Sequence, residues 1–151
     1  MVDLIAQTED TAPNVTDIFY TVRDPAGSPL DRKVTIQTLQ NTLEIVAKTA
    51  SATSVLTDNA KLITMDLTGT ANAYTLQPNA TIAHPIGTAI IVQQIGTGVT
   101  SITGGTGVTI QGAGQSVSAG SCAISNRYDL ATCIKVATDT WVVQGSVGAI
   151  A

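Results

Sequence analysis

The sequence predicts a mainly β protein: an N-terminal arm and β-hairpin, one short helix, and a C-terminal antiparallel β-sandwich or barrel. Three observations predict it. From residue 61 onward, short runs of β-branched and apolar residues recur between Gly, Asn, Asp and Pro turns at about the 8–12-residue spacing of all-β domains. No helical period interrupts them, which argues against a doubly wound sheet. Only one stretch, from Ile36 to Ala50, has a helical rhythm. At 151 residues, 44% of them hydrophobic, the chain is long enough to bury a core and too apolar to be disordered.

Residues 1–16 are polar and carry Pro13, and read as an extended or disordered arm. Asp17-Ile18-Phe19-Tyr20-Thr21-Val22-Arg23 is β-branched and aromatic and reads as a strand. Asp24-Pro25-Ala26-Gly27-Ser28-Pro29 marks a turn, after which Lys33-Val34-Thr35-Ile36 can pair back. Ile36, Leu39, Leu43, Val46 and Ala50 are then spaced 3, 4, 3, 4, an a/d stripe of about two heptads with Thr38 as its N-cap. So short a helix is not stable alone. It must bury its stripe against its own β-domain or against the same helix of sister subunits. The domains expected are 1–35 (arm and hairpin), 36–59 (helix and linker) and 60–151 (β-domain).

Strands are expected at Leu62 to Thr68, Tyr74 to Leu76, Thr88 to Ile95 (the most apolar, hence central), Val99 to Thr103 and Val108 to Gln111. Two more follow. Tyr128 to Val136 has Leu130, Thr132, Ile134 and Val136 on one face and Asp129, Ala131, Cys133 and Lys135 on the other, and Asp139-Thr140 turns into Trp141-Val142-Val143-Gln144. Gly-Thr-Gly-Val-Thr occurs at Gly96 and again at Gly105, read as two successive strands each opened by a glycine turn. A calcium β-roll shares the nine-residue period but needs an Asp in each repeat, and here Thr109 stands in that place.

Charge is scarce: 12% of residues, with a net of −4, which excludes a general nucleic-acid binder. From Leu67 to Asn126 there is no Asp, Glu, Lys or Arg, and ten of the thirteen glycines lie there. A neutral, hydroxyl- and amide-rich surface of that length suits assembly with copies more than a free monomer. The N-terminus lacks a basic, apolar leader, and no apolar run is long enough to span a membrane, so synthesis and folding in a cytoplasm are expected.

Reactive constellations are missing. The glycine runs lack the GK[ST] ending of a phosphate loop, and His84, the single histidine, stands before Pro85 with no GxSxG elbow in the chain. It reads as a surface or turn histidine. The carboxylates form no pair in an apolar setting. Two cysteines and one histidine fall short of a zinc site, and Cys122 and Cys133 read as small buried apolar residues. Trp141 reads as core. No enzyme activity, cofactor or metal is expected.

Two segments carry a resemblance. Asp17-Ile18-Phe19-Tyr20-Thr21-Val22-Arg23-Asp24-Pro25-Ala26-Gly27-Ser28-Pro29, followed by Lys33-Val34-Thr35-Ile36-Gln37-Thr38-Leu39, resembles the hairpin-to-helix segment of many tailed-bacteriophage virion proteins. Gly87 to Thr100, with Gly107-Val108-Thr109-Ile110 and Asp139-Thr140-Trp141-Val142-Val143-Gln144-Gly145, is similar to the β-rich heads of phage fibre, spike and decoration proteins. The resemblance implies a non-enzymatic homotrimer on the virion, attached through its N-terminal part. The short chain, without shaft repeats, fits a capsid decoration (cement) protein that binds the major capsid protein or another virion protein and stabilises the shell. The alternative is a short tail fibre or head fibre, with the loops at 77–85 and 112–120 contacting host glycans. The residues expected to act are Ile36, Leu39, Leu43, Val46 and Ala50 as a trimer stripe and Ile18, Phe19 and Tyr20 as the particle anchor. No nucleic acid or membrane partner is expected.

Overall fold

The structure is a computed structural model describing residues 43–151 and, further toward the N-terminus, the backbone of two strands. The chain divides into two units at Thr42 and Leu43. In the first, β1 (Asp17–Arg23) and β2 (Pro29–Thr35) pair antiparallel, Asp17 opposite Thr35 and Arg23 opposite Pro29. The expected arm, and Ile36 and Leu39 of the stripe, lie outside the described residues.

The second unit is built of β3 (Glu44–Lys48), β4 (Ala52–Thr53), β5 (Lys61–Met65), β6 (Asn72–Leu76), β7 (Ala89–Gln94), β8 (Thr100–Gly104), β9 (Thr109–Gly112), β10 (Gln115–Ser118), β11 (Ser121–Ala123), β12 (Leu130–Ala137) and β13 (Thr140–Gly145). They form a seven-stranded sheet in the order β10-β9-β13-β12-β7-β5-β3 and a four-stranded sheet in the order β11-β8-β6-β4. Among the described residues, no helix is long and apolar enough to cross a membrane.

The mainly β, two-sheet character agrees with expectation, but the pairing is not simply antiparallel. Up to β8 the chain alternates between the sheets, so that β3, β5 and β7 stack in parallel in one and β4, β6 and β8 in the other. These are three coils of a short solenoid, in which each coil buries its apolar face only by stacking on the next. Antiparallel pairing enters later: β12 lies against both β7 and β13, β9 against β10, and β11 against β8. The sequence could not show the parallel part, because a coil and a hairpin use equally short strands and turns.

In-register stacking repeats chemistry along rows. Val46, Ile63, Val92 and Ala131 form one inward row of the larger sheet. Thr53, Thr75, Thr103 and Ser121 form an outward row of the smaller one, with the last two hydroxyls 3.1 Å apart. The two sheets share one core, which includes Ile63, Met65, Tyr74, Leu76, Ile90, Val92, Ile102, Ile110, Cys133, Trp141 and Val143. Trp141 and both cysteines are buried, as expected, and the cysteines are unpaired thiols.

The helix expected from Ile36 to Ala50 is absent from its described part, residues 43–50. Leu43 precedes β3, Val46 lies within it, and Ala50 is in the bend that follows; the only helix there is one 3-10 turn, Leu56–Asp58. The reason is energetic. A two-heptad helix would have to find a partner for its stripe, whereas a strand at this place completes the free side of β5 and sets Val46 on Ile63. Leu43 and Val46 then point to opposite faces, so the stripe dissolves.

The structure decides which of the two faces of β12 is inward, a choice the sequence leaves open. The buried face is the one with Ala131, Cys133 and Lys135, while Leu130 and Val136 are exposed.

Candidate functional site

The first coil turn positions a buried polar cluster. Ser54 follows β4, and its Oγ accepts a hydrogen bond from the Gln77 amide at 3.0 Å. That oxygen also meets His84 Nε2 at 3.1 Å. Asp58 closes the 3-10 turn, accepting from the Val55 amide at 3.0 Å and from the Tyr74 hydroxyl at 2.6 Å. Lys135, on the inward face of β12, is buried, and its Nζ donates to Asn79 Oδ1 and to the His84 carbonyl, both at 2.8 Å. His84 meets Trp141 edge-on, ring centroids 5.3 Å apart.

His84 is therefore not a surface histidine. It is buried because the β6–β7 loop folds back over the edge of the core. The cluster has three residue types of a nucleophilic triad without its geometry. Asp58 is engaged with Tyr74, while His84 Nδ1 has no hydrogen-bond partner among the described residues, so no carboxylate orients the ring. Ser54 and His84 are also sealed from solvent. What the cluster does is fix a loop. Ser54 and Lys135 hold it through Gln77, Asn79 and His84, and Asp139 accepts from the Asn79 amide. The loop thereby presents Ile86, 67% exposed, on a braced frame. The other expected loop, 112–120, is mostly strand: Ala113 and Gly114, both at positive φ, turn β9 into β10.

Burial shifts the titrations. It pulls the His84 imidazole below 6.5, helped by the nearby Lys135 charge and opposed by Asp58. It pushes the Cys122 thiol above 9.0, and the Cys133 thiol further in the same direction. The Tyr74 phenol rises through burial and the adjoining Asp58. The signs follow from linkage. In acid the unfolded imidazole takes up a proton near 6.5 that the folded one refuses, so stability is complete above 6.5 and falls below it. In base the unfolded thiols ionise near 9.0 while the folded ones stay protonated, so stability falls as pH rises past 9.0. The melting temperature is expected to be highest between these limits and to drop on both sides. A curve still rising between pH 6.5 and pH 5 would contradict the neutral, buried His84.

The second candidate is the outward face of the larger sheet. Ile45, Leu62 and Ile91 are cross-strand neighbours on β3, β5 and β7, continued by Thr132 and Gln144 on β12 and β13. Beside them run Ala89, Ile134 and Val142 in one row and Thr64, Gln93 and Leu130 in another. None of these residues is charged. Of the expected trimer stripe, Leu43 is exposed, Val46 is half-buried against the core, and Ala50 is exposed. The side chains of the expected anchor, Ile18, Phe19 and Tyr20 in β1, lie outside the described residues. Sequence reasoning missed Ser54, Asp58, Tyr74 and Lys135 as a cluster, because they come from different coils. Only Lys135 left a signal, sharing the face of Ala131 and Cys133.

Fold and surface together define a two-sheet, part-solenoid β protein with neutral outer faces. Comparison with protein-family models, curated proteins and solved structures gives no match.

Proposed function

We propose that the chain is a structural protein of a tailed-bacteriophage virion, a capsid decoration (cement) protein made in the host cytoplasm and seated on the head shell. The observation that carries this reading is the neutral, hydroxyl-rich and aliphatic exterior of both sheets on a frame whose single Ser–His contact is sealed. The likeness of residues 17–29 and 33–39, and of 87–100, 107–110 and 139–145, to phage virion proteins supplies the class. A surface of this kind holds neighbours by burying apolar and backbone area at several places at once, which multiplies weak contacts. It needs no cofactor. Attachment through the segment containing Ile18, Phe19 and Tyr20 belongs to the same proposal. The resemblance implies a homotrimer; the described part of the stripe is a strand, so Leu43, Val46 and Ala50 cannot contribute to it as a helix face.

Particles lacking the protein are expected to release their genome at lower temperature than complete ones, and densitometry of purified particles should give copies on the scale of the shell subunits. Equal heat resistance would refute the cement role. A few copies per particle would favour the second reading, a short tail or head fibre touching host glycans, for which the braced loop around Ile86 is the supporting feature. Chains lacking residues 1–35 are expected to lose particle binding; undiminished occupancy would move the anchor to the β-unit.

A further inference from the structure

We infer that the β3 edge is a self-association surface, where a second copy of the chain extends the larger sheet by pairing its own β3 antiparallel across a two-fold axis. β3 ends the seven-stranded sheet, and among the described residues it has a neighbour on one side only, β5. β4 likewise ends the smaller sheet. Both belong to the first solenoid coil, so among the described residues this end of the coil stack has no cap, and solenoids cap or pair such ends. Exposed apolar side chains concentrate on this coil: Leu43 at 46%, Ile45 at 66%, Val55 at 40% and Leu56 at 54%.

The sequence of the edge commits it to its own copy. β3 reads Glu44-Ile45-Val46-Ala47-Lys48, with opposite charges equally far from Val46. With Val46 on the axis, Glu44 stands opposite Lys48 of the second copy and Lys48 opposite its Glu44. Both charge pairs are attractive, and they arise twice from one sequence, as an isologous contact requires. Glu44 already pairs with Lys61 at 2.9 Å, yet stays 64% exposed and able to take a second cation. On the outward face Ile45 meets Ala47 of the second copy, with the second Ile45 one diagonal away, within reach of a long side chain. On the inward face Val46 meets Val46, extending the row that runs through Ile63 and Val92. A shifted register would set like charges together or leave them unpaired.

The test uses the full-length chain and light scattering over a concentration series. The expected result is a two-chain mass that reverts to one chain in Lys48→Glu and returns when Lys48→Glu is combined with Glu44→Lys, with the circular dichroism of all three unchanged. Val46→Cys is expected to give a two-chain disulfide under oxidising conditions, since directly opposed antiparallel residues lie about 4.5–5.5 Å apart at Cα. Ala47→Cys is not, because its partner is Ile45. The native thiols, Cys122 and Cys133, are buried and leave the readout clean. A single-chain mass at every concentration, a three-chain particle, or equal cross-linking at positions 46 and 47 would overturn the inference. A two-chain mass would also count against the homotrimer that the resemblance implies, and a three-chain mass would favour it; neither bears on virion copy number or particle heat resistance, which test the decoration role itself.

Discussion

Trp141→Ala is expected to cost the β-unit about 3–5 kcal/mol, the usual range for deleting a fully buried aromatic. Trp141 is among the largest of the fully buried side chains. It lies on β13 opposite Ile110 of β9 and Lys135 of β12, and it packs edge-on against His84. Its removal would open a void beside the polar cluster, where Lys135 holds the His84 carbonyl and Ser54 the Gln77 amide, so the backbone is braced against collapse. Trp141→Phe should cost far less. The indole Nε1 has no hydrogen-bond partner among the described residues, so the phenyl ring gives up volume and no bond. Urea unfolding followed by circular dichroism measures both, since the substitution removes the chain's single tryptophan and with it the usual fluorescence signal. A loss below about 1 kcal/mol for Trp141→Ala would mean that the site relaxes, and that the cluster does not brace it.

Gly98→Ala is expected to be at least as damaging, for a different reason. A Cβ at Gly98 would lie 1.9 Å from the Thr70 carbonyl oxygen, and one at Gly96 2.0 Å from that of Leu67. Both obstacles are backbone of the preceding coil, to which Gly98 also donates a 2.8 Å hydrogen bond through Leu67. No side chain can swing aside, so two coils must separate. The cost should exceed the roughly 1–3 kcal/mol of ordinary overpacking. Gly107→Ala is the control from the second copy of the repeat. Gly107 has φ +87° but nothing within 4 Å of a Cβ, so only the left-handed backbone penalty of about 1–2 kcal/mol remains. Midpoints in urea should rank Gly98→Ala well below Gly107→Ala, and equal midpoints would show that the coils do not pack this closely.

Those two glycines mark how far the sequence could be read. The repeat was legible as two turns feeding two strands, and Gly96 and Gly105 do lead into β8 and β9. That the glycines before β8 are there for close approach of another coil was not legible, because Leu67 and Thr70 are nearly thirty residues away. The same holds for the cluster: Ser54, Tyr74, His84 and Lys135 meet only after three coils have stacked. The described part of the stripe, residues 43–50, departed from expectation in the opposite way. A 3–4 spacing over two heptads is satisfied by a few aliphatic residues placed for other reasons, and β5 offered residues 44–48 a ladder that a lone helix could not match.

The sequence by itself determined that the protein is β-rich, where most of its strands run, that Trp141 and the cysteines are interior, and that sixty consecutive residues carry no charge. These are local properties, fixed by period-2 alternation, turn residues and composition. Tertiary structure alone decided the parallel stacking, the inward face of β12, the burial of His84 and Lys135, and the place of β3 at the end of its sheet. Each depends on which strand lies beside which, and that choice is made by packing and backbone pairing between residues distant in the chain.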